Sequence, residues 1–366
     1  MNKLIAVTRS SMPSFEEYCE EIKVLWENRW LSNRGCKHKE FEAQLAEFFG
    51  QPNVFLYANG HVALEVGIDA FHFPKGSEVI TTPYTHCSTT HSIARNGLVP
   101  VFVDVNDKDY TIDVTKIEDA ITDKTVAIMA THVYGVMCDV EAIDAIAKKH
   151  GLKVIYDAAH AFGVKKDGKD VSAWGDMAMF STHATKVFHT IEGGITVFKD
   201  EKYQKELNCL VNFGFRNAEE VDYISTNARM NEFEAAMGIC NLRHFAEELK
   251  KREKAAKKYH EMLDGVEGIH FIAPQPGVTQ NYAYFPVFFD GYKYTRNEIQ
   301  AKLAEENILA RKYFYPIIPD LSCYQMAYSG QAYPISKHAA ETVLALPMFA
   351  DLSEEDVDRI CKIILN

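Results

Sequence analysis

Apolar positions recur along this chain in two periods, and the switches between them outline its elements. After Pro13 and Ser14, the residues Phe15, Tyr18, Ile22, Leu25 and Trp26 stand at helical spacing, and the turn-rich stretch Trp30-Leu31-Ser32-Asn33-Arg34-Gly35 ends that helix. A second amphipathic helix is predicted over 39–49 through Phe41, Leu45 and Phe48. Apolar runs of strand type follow at 54–57, 78–82, 99–104, 125–131 and 152–156. Helical patterns lie between them at 62–68, 114–120 and 140–150. Such alternation predicts a parallel sheet with right-handed crossovers. Two further apolar runs, 177–180 and 195–198, enclose a polar loop of hydroxyls and imidazoles that presents Lys186 and returns through Gly193-Gly194.

The pattern changes beyond residue 200. A charged helix is predicted over 203–211, then a loop through Gly214 and Asn217 to Ser225-Thr226-Asn227-Ala228-Arg229-Met230, then a helix over 231–242 with Phe233, Met237 and Cys240 inward. A long Lys- and Glu-rich helix over 247–263 marks a shift in composition, so a boundary is placed near 245: a large domain 1–245 and a small one 246–366. Short strands at 269–271 and 282–289, a helix at 296–306, the run 309–315 and a last helix with Ser353 as its cap suggest an α+β small domain. The expected fold is α/β, a large domain with a mostly parallel sheet flanked by helices plus this smaller α+β domain.

Composition narrows the function. A formal net charge of −12 argues against general nucleic-acid or anionic-membrane binding. The eight cysteines are scattered, which suits free thiols in a reducing compartment. No run of about 18 apolar residues occurs, and the first residues lack the apolar stretch of a signal peptide, so a cytoplasmic protein is expected. No Gly-x-Gly-x-x-Gly or phosphate-loop motif is present.

The candidate chemistry lies at strand ends. Lys186 sits just past an apolar run among Ser and Thr rather than carboxylates, so its ammonium is open to depression toward a nucleophilic amine. A loop lysine taken alone is most often solvated. Asp157 shifts the balance: it ends the run 152–156 before the small residues Ala158-Ala159, where open α/β sheets carry ligand-binding groups. One acid and one lysine at strand ends suit pyridoxal 5'-phosphate, the lysine forming a Schiff base and the carboxylate keeping the pyridine nitrogen protonated. Asn59-Gly60, between a strand and a helix, offers free backbone amides to a phosphate, though alone the signal is weak. Ala310-Arg311-Lys312-Tyr313-Phe314-Tyr315-Pro316 is rich in groups that hold sugars and diphosphates, but also fits a strand with a solvated basic edge.

The strings YDAAHAFG, WGDMAMFSTHATKVFHTIEGGITVF and STNARMNEFEAAMGICNL resemble the DegT/DnrJ/EryC1/StrS family of nucleotide-sugar aminotransferases, over nearly the whole chain. The resemblance implies the pyridoxal-phosphate transferase fold of type I, with Lys186 and Asp157 in the roles above. It implies phosphate contacts from Asn59, Gly60, His61 and Ser181, with His61 replacing the family's usual threonine. His86 stands where an aromatic ring stacks on the pyridine, and His160 where glutamine is usual near the ring hydroxyl. Asn227, otherwise a helix cap, would reach the neighbour's cofactor phosphate in a homodimer with shared active sites. Arg311, Tyr313, Tyr315, Asn33 and His183 would meet the substrate.

The reaction so implied moves an amino group from glutamate to a nucleotide-linked keto-sugar, most simply carbon 4 of a dTDP-4-keto-6-deoxyhexose, with a 3-keto sugar as the rival. Dehydratases of the family carry histidine where Lys186 stands here. A non-catalytic regulator on the same fold would be expected to lose Lys186 or Asp157. A metal hydrolase would need a close pair of ligands, and neither His86 with His91 nor His183 with His189 has that spacing, so no metal is expected.

Overall fold

The computed structural model describes residues 3–366. Ser14 opens α1 (Phe15–Asn28) by accepting a hydrogen bond from the Glu17 amide at 3.1 Å, and α2 (Cys36–Phe49) ends at Gly50 in the left-handed region. Then come β1 (Val54–Tyr57), α3 (Gly60–Asp69), β2 (Glu78–Thr81), α4 (Cys87–Arg95), β3 (Val99–Phe102), β4 (Thr125–Thr131), α5 (Val140–His150) and β5 (Lys153–Asp157). A small hairpin of β6 (Lys165–Lys166) and β7 (Lys169–Asp170) precedes β8 (Met177–Ser181) and β9 (Gly194–Phe198), followed by α6 (Gln204–Leu210) and α7 (Glu232–Leu263). The remainder holds β10 (Ile269–His270), β11 (Val278–Thr279), β12 (Phe285–Phe289), α8 (Arg296–Glu305), α9 (Pro334–Thr342), β13 (Val343–Leu346) and α10 (Glu354–Leu365).

Seven strands form the main sheet in the order β1-β9-β8-β5-β4-β2-β3. Only β9 runs against its neighbours, pairing antiparallel with both β1 and β8. The carboxyl ends of β1, β2, β4, β5 and β8 therefore share one edge, and the start of β9 returns to it, with Gly194 opposite both Tyr57 and Ser181. Period-2 alternation covers the two faces. Val54, Leu56, Val154, Tyr156, Ala178 and Phe180 pack with Phe41 and Leu45 of α2, Ile143 of α5 and Ile239 of α7, whereas Phe55, Ile155, Met177 and Met179 pack with Leu64 and Val66 of α3 and Leu207 of α6.

A second core lies under the three-stranded antiparallel sheet β10-β12-β13, where Val287, Leu344 and Leu346 meet Ile299, Leu303, Ile360 and Ile364. The helices expected at 231–242 and 247–263 are one helix. No glycine, proline or capping residue interrupts Arg243-His244-Phe245-Ala246, so the 32 residues of α7 run on, and the expected boundary near 245 falls inside them. Along α7 the buried face changes core: Ala235, Ile239 and Phe245 belong to the large one, Ala255, Ala256, Tyr259 and Leu263 to the small one.

Other elements differ in kind. The expected helix over 114–120 is two 3-10 turns, Val114–Lys116 and Glu118–Ala120, because a short segment carrying Val114, Thr115 and Ile117 gains little from α-helical bonding. The run 309–315 forms no strand: Arg311 bridges Ala345, and the Leu309 amide bonds the Ile5 carbonyl at 2.9 Å. The helices α4 and α9 and the strand β13 are additional to the predicted elements. Among the described residues no helix is long and apolar enough to cross a membrane.

Candidate active site

A cavity of about 470 Å³ opens where the carboxyl edge of the main sheet meets Arg311, Tyr313 and Phe314. Asp157 ends β5 on its floor and is 3% exposed. Its Oδ2 accepts from the Thr89 hydroxyl at 2.6 Å and its Oδ1 from the Ala159 amide at 3.1 Å, which satisfies a carboxylate that burial would otherwise penalise. Thr85 bonds Thr89 at 2.8 Å and receives the Thr131 hydroxyl at 3.2 Å, so the carboxylate rests on a hydroxyl chain reaching from β4 to α4.

Lys186 comes from the loop between β8 and β9. Bonds of 2.9 Å from the Thr182 amide to the Gly193 carbonyl and from the Thr190 amide to the Thr182 carbonyl close that loop, and the Lys186 amide donates to His183. Its ammonium lies 5.9 Å from the Tyr284 ring centroid and enters no ion pair among the described residues. Burial pushes its pKa down to about 8, against the opposing fields of Asp157 and Tyr313. Lys186 and Asp157 thus line one cavity.

The start of α3 forms another wall. Asn59 caps the helix, its side chain accepting from the Val62 amide at 2.9 Å. Gly60 approaches β8 closely enough that a Cβ there would stand 3.0 Å from Cβ of Ser181. His61 is held on both sides, by Ser88 Oγ at 2.8 Å from Nδ1 and by Glu65 Oε1 at 3.1 Å from Nε2. His86 caps α4: its Nδ1 accepts from the Ser88 amide at 3.2 Å, which leaves the ring proton on Nε2. Burial, with Lys186 adding to it, holds the His86 pKa below its ordinary value.

His160 is buried, and that burial holds it neutral, well below the usual histidine range. Its Nδ1 accepts from the Tyr134 amide at 3.1 Å, and its ring stacks on Phe314 at 5.7 Å and 2°. His183 joins the wall with Nε2 3.3 Å from Glu192, while Arg311 donates to the Tyr313 hydroxyl at 3.2 Å.

Three expected site residues lie away from this cavity. Tyr315 is 52% exposed, with the Arg296 guanidinium 5.0 Å from its ring centroid, because the chain turns after Lys312, the Tyr315 amide bonding the Lys312 carbonyl at 2.9 Å. Asn33 and Asn227 are exposed and converge instead on Arg229, whose Nε donates to Asn227 at 2.9 Å and whose Nη1 bonds Asn33. Thr85, Glu192, Tyr284 and Phe314 also line the cavity, and Thr89 reaches it through Asp157; none of the five is among the expected site residues. Glu192 and Phe314 stand inside stretches already marked as chemical, but Thr89 lies on a helix whose polar run Ser88-Thr89-Thr90-His91-Ser92 hides its periodicity. Among the described residues no cluster of three His, Cys, Asp or Glu could hold a metal ion.

The model of the DegT/DnrJ/EryC1/StrS aminotransferase family matches residues 14–365. The chain is 40% identical to a dTDP-4-amino-4,6-dideoxy-D-glucose transaminase of Shigella dysenteriae, over 100% of this chain and 99% of that one. It is 39% identical to a protein of the same name from Escherichia coli, again over 100% and 99%. Among solved structures, DesI in the presence of its TDP-sugar product superposes with a TM-score of 0.92 at 28% identity, covering 100% of this chain and 93% of that one.

Proposed function

This chain belongs to the DegT/DnrJ/EryC1/StrS aminotransferase family, and from that premise we propose that it transfers an amino group from glutamate to carbon 4 of a dTDP-4-keto-6-deoxyhexose. The observation that carries the reading is the meeting of Lys186 and Asp157 in one cavity, the lysine depressed to about 8 by burial and the carboxylate ending β5. The full-length similarity to dTDP-4-amino-4,6-dideoxy-D-glucose transaminases supports carbon 4 and the nucleotide.

The residues present fit pyridoxal 5'-phosphate. An amine without an ion-pair partner among the described residues, a buried carboxylate and a glycine-opened helix start surround the same space. Bound there, the cofactor supplies an aldehyde and an electron-withdrawing ring, which let an amino group pass between carbon skeletons. The amides that open α3 at Gly60 and His61, with Ser181 opposite, would hold its phosphate, where the helix dipole favours an anion. Asn59 supports that role by capping the helix. Asp157, braced by Thr89, would face the ring nitrogen, and His86 would offer a flat neutral ring to the cofactor's face. His160, neutral and fixed through Tyr134, adds no positive charge beside the lysine.

With a pKa near 8, an appreciable fraction of Lys186 is free base at neutral pH. That amine would take a proton from the donor's alpha carbon and return it on the cofactor side, and do the reverse for the keto-sugar. Arg311 suits the diphosphate, Tyr313 and His183 the sugar. Asn227, with Asn33 gathered on the same Arg229, would serve the neighbouring subunit of a homodimer. Tyr315, outside this cavity, carries no role in the reading.

The test is to incubate the cofactor-loaded enzyme with glutamate and dTDP-4-keto-6-deoxyglucose and identify the product by mass and NMR. An amine on carbon 4 is expected. Amination at carbon 3 of a 3-keto isomer alone, or no amination, would overturn the substrate reading.

A further inference from the structure

Two buried tyrosines form a relationship that the transfer chemistry leaves unused. Tyr84 follows β2 and is fully buried; Tyr134 lies in the turn 133–135 after β4 and is 3% exposed. Their hydroxyl oxygens are 2.6 Å apart, Tyr134 donates to the main-chain carbonyl of Tyr313, and the Tyr84 hydroxyl stands 3.5 Å from that same carbonyl. Each phenol has one proton, and the Tyr134 hydroxyl is the closer of the two to the carbonyl, so the geometry favours Tyr134 giving its proton to the carbonyl and receiving that of Tyr84. Burial raises both phenols above their ordinary range and keeps those protons in place.

Tyr134 also faces the other half of the site. Its amide donates to His160 Nδ1 at 3.1 Å, and the Phe314 ring stacks on both His160, at 5.7 Å, and Tyr134, at 6.0 Å. One residue therefore ties the wall around Asp157 and Lys186 to the segment that carries Arg311 and Tyr313. We infer that Tyr84 and Tyr134 are positioning residues for the nucleotide-sugar, their hydroxyl pair holding the Tyr313 carbonyl and so setting where Arg311 and Tyr313 stand on the cavity wall. Neither hydroxyl reaches the reacting atoms; both act through a main-chain carbonyl. The inference rests on the reading of this cavity as a nucleotide-sugar site.

Tyr134→Phe keeps the ring stack and removes the bond. Two readouts test it. Hydrogen exchange of the amides at 312–315 needs no substrate, and is expected to be about tenfold faster in the variant, the size of one lost buried hydrogen bond. KM for the nucleotide-sugar is expected to rise about tenfold while the rate of the glutamate half-reaction stays unchanged. Tyr84→Phe, which leaves the Tyr134 bond intact, is expected to show the same split at smaller size. Unchanged exchange with unchanged KM would overturn the inference, as would a loss that falls equally on the glutamate half-reaction. A wild-type enzyme that aminates no nucleotide-sugar would overturn the proposed substrate instead, and faster exchange would still show that the hydroxyl pair holds the segment.

Discussion

Oδ2 of Asp157 lies 2.6 Å from the hydroxyl of Thr89, a bond that fastens the end of β5 to α4. Hydrogen bonds to charged groups contribute about 1.5–3 kcal/mol. Thr89→Val, close in shape, is therefore expected to weaken cofactor binding by roughly 10- to 100-fold without unfolding the protein, read by absorbance titration. Unaltered affinity would show that the carboxylate needs no brace.

His86 combines two roles that substitution can separate. Its Nδ1 caps α4, whereas its ring lines the cavity. His86→Phe is expected to keep cofactor affinity and lose about 1 kcal/mol of stability, the usual loss of a cap. His86→Asn is expected to keep the cap and lose affinity. Denaturation midpoints and cofactor titrations on the two variants check both halves.

The depressed Lys186 predicts a pH dependence of stability. Below about 8 the lysine is charged in both the folded and the unfolded chain, and the cofactor-free fold bears the full penalty of burying it. Between about 8 and the ordinary lysine value of 10.5 the unfolded chain binds more protons than the folded one, so stability rises with pH across that window. Cofactor-free Lys186→Met should accordingly melt above wild type at pH 7, by a few degrees, with the gap closing toward pH 10. A constant gap in thermal scans would contradict the assigned shift.

Much of this site was legible because strand ends follow a simple grammar. Asp157 and Lys186 each follow an apolar run at one sheet edge, and the sheet order brings them together. What escaped did so for physical reasons. The continuity of α7 across 243–246 depends on Phe245 finding a place in the large core, which no local signal reports. Tyr313 and Tyr315 are chemically alike and two residues apart, and it takes the turn at 312–315 and the bond from Tyr134 to the Tyr313 carbonyl to put the former on the cavity wall and the latter outside it. Thr89 was hidden because the buried face of α4 is mostly hydroxyl, Thr89, Thr90 and Ser92 beside Ile93, so the helix shows no apolar stripe in the sequence.

Asn33 and Asn227 meet on Arg229 at the surface, away from this chain's own cavity. If they serve a neighbour, mixed dimers should complement. Subunits carrying Lys186→Ala and subunits carrying Asn227→Ala, each nearly inactive alone, are expected to regain activity when unfolded and refolded together, since one of the two sites in a hybrid is then intact. No recovery, in a preparation shown to contain hybrids, would place Asn227 outside the site.

The central claim is that Lys186 anchors the cofactor of an aminotransferase, and the most direct measurement is the ultraviolet-visible spectrum of the purified protein and of Lys186→Ala, each with added pyridoxal 5'-phosphate, before and after glutamate. The account predicts a long-wavelength band in the wild type that glutamate shifts, and no such lysine-bound band in the variant. A wild type without the band, or a variant whose band and glutamate response match it, would contradict the account.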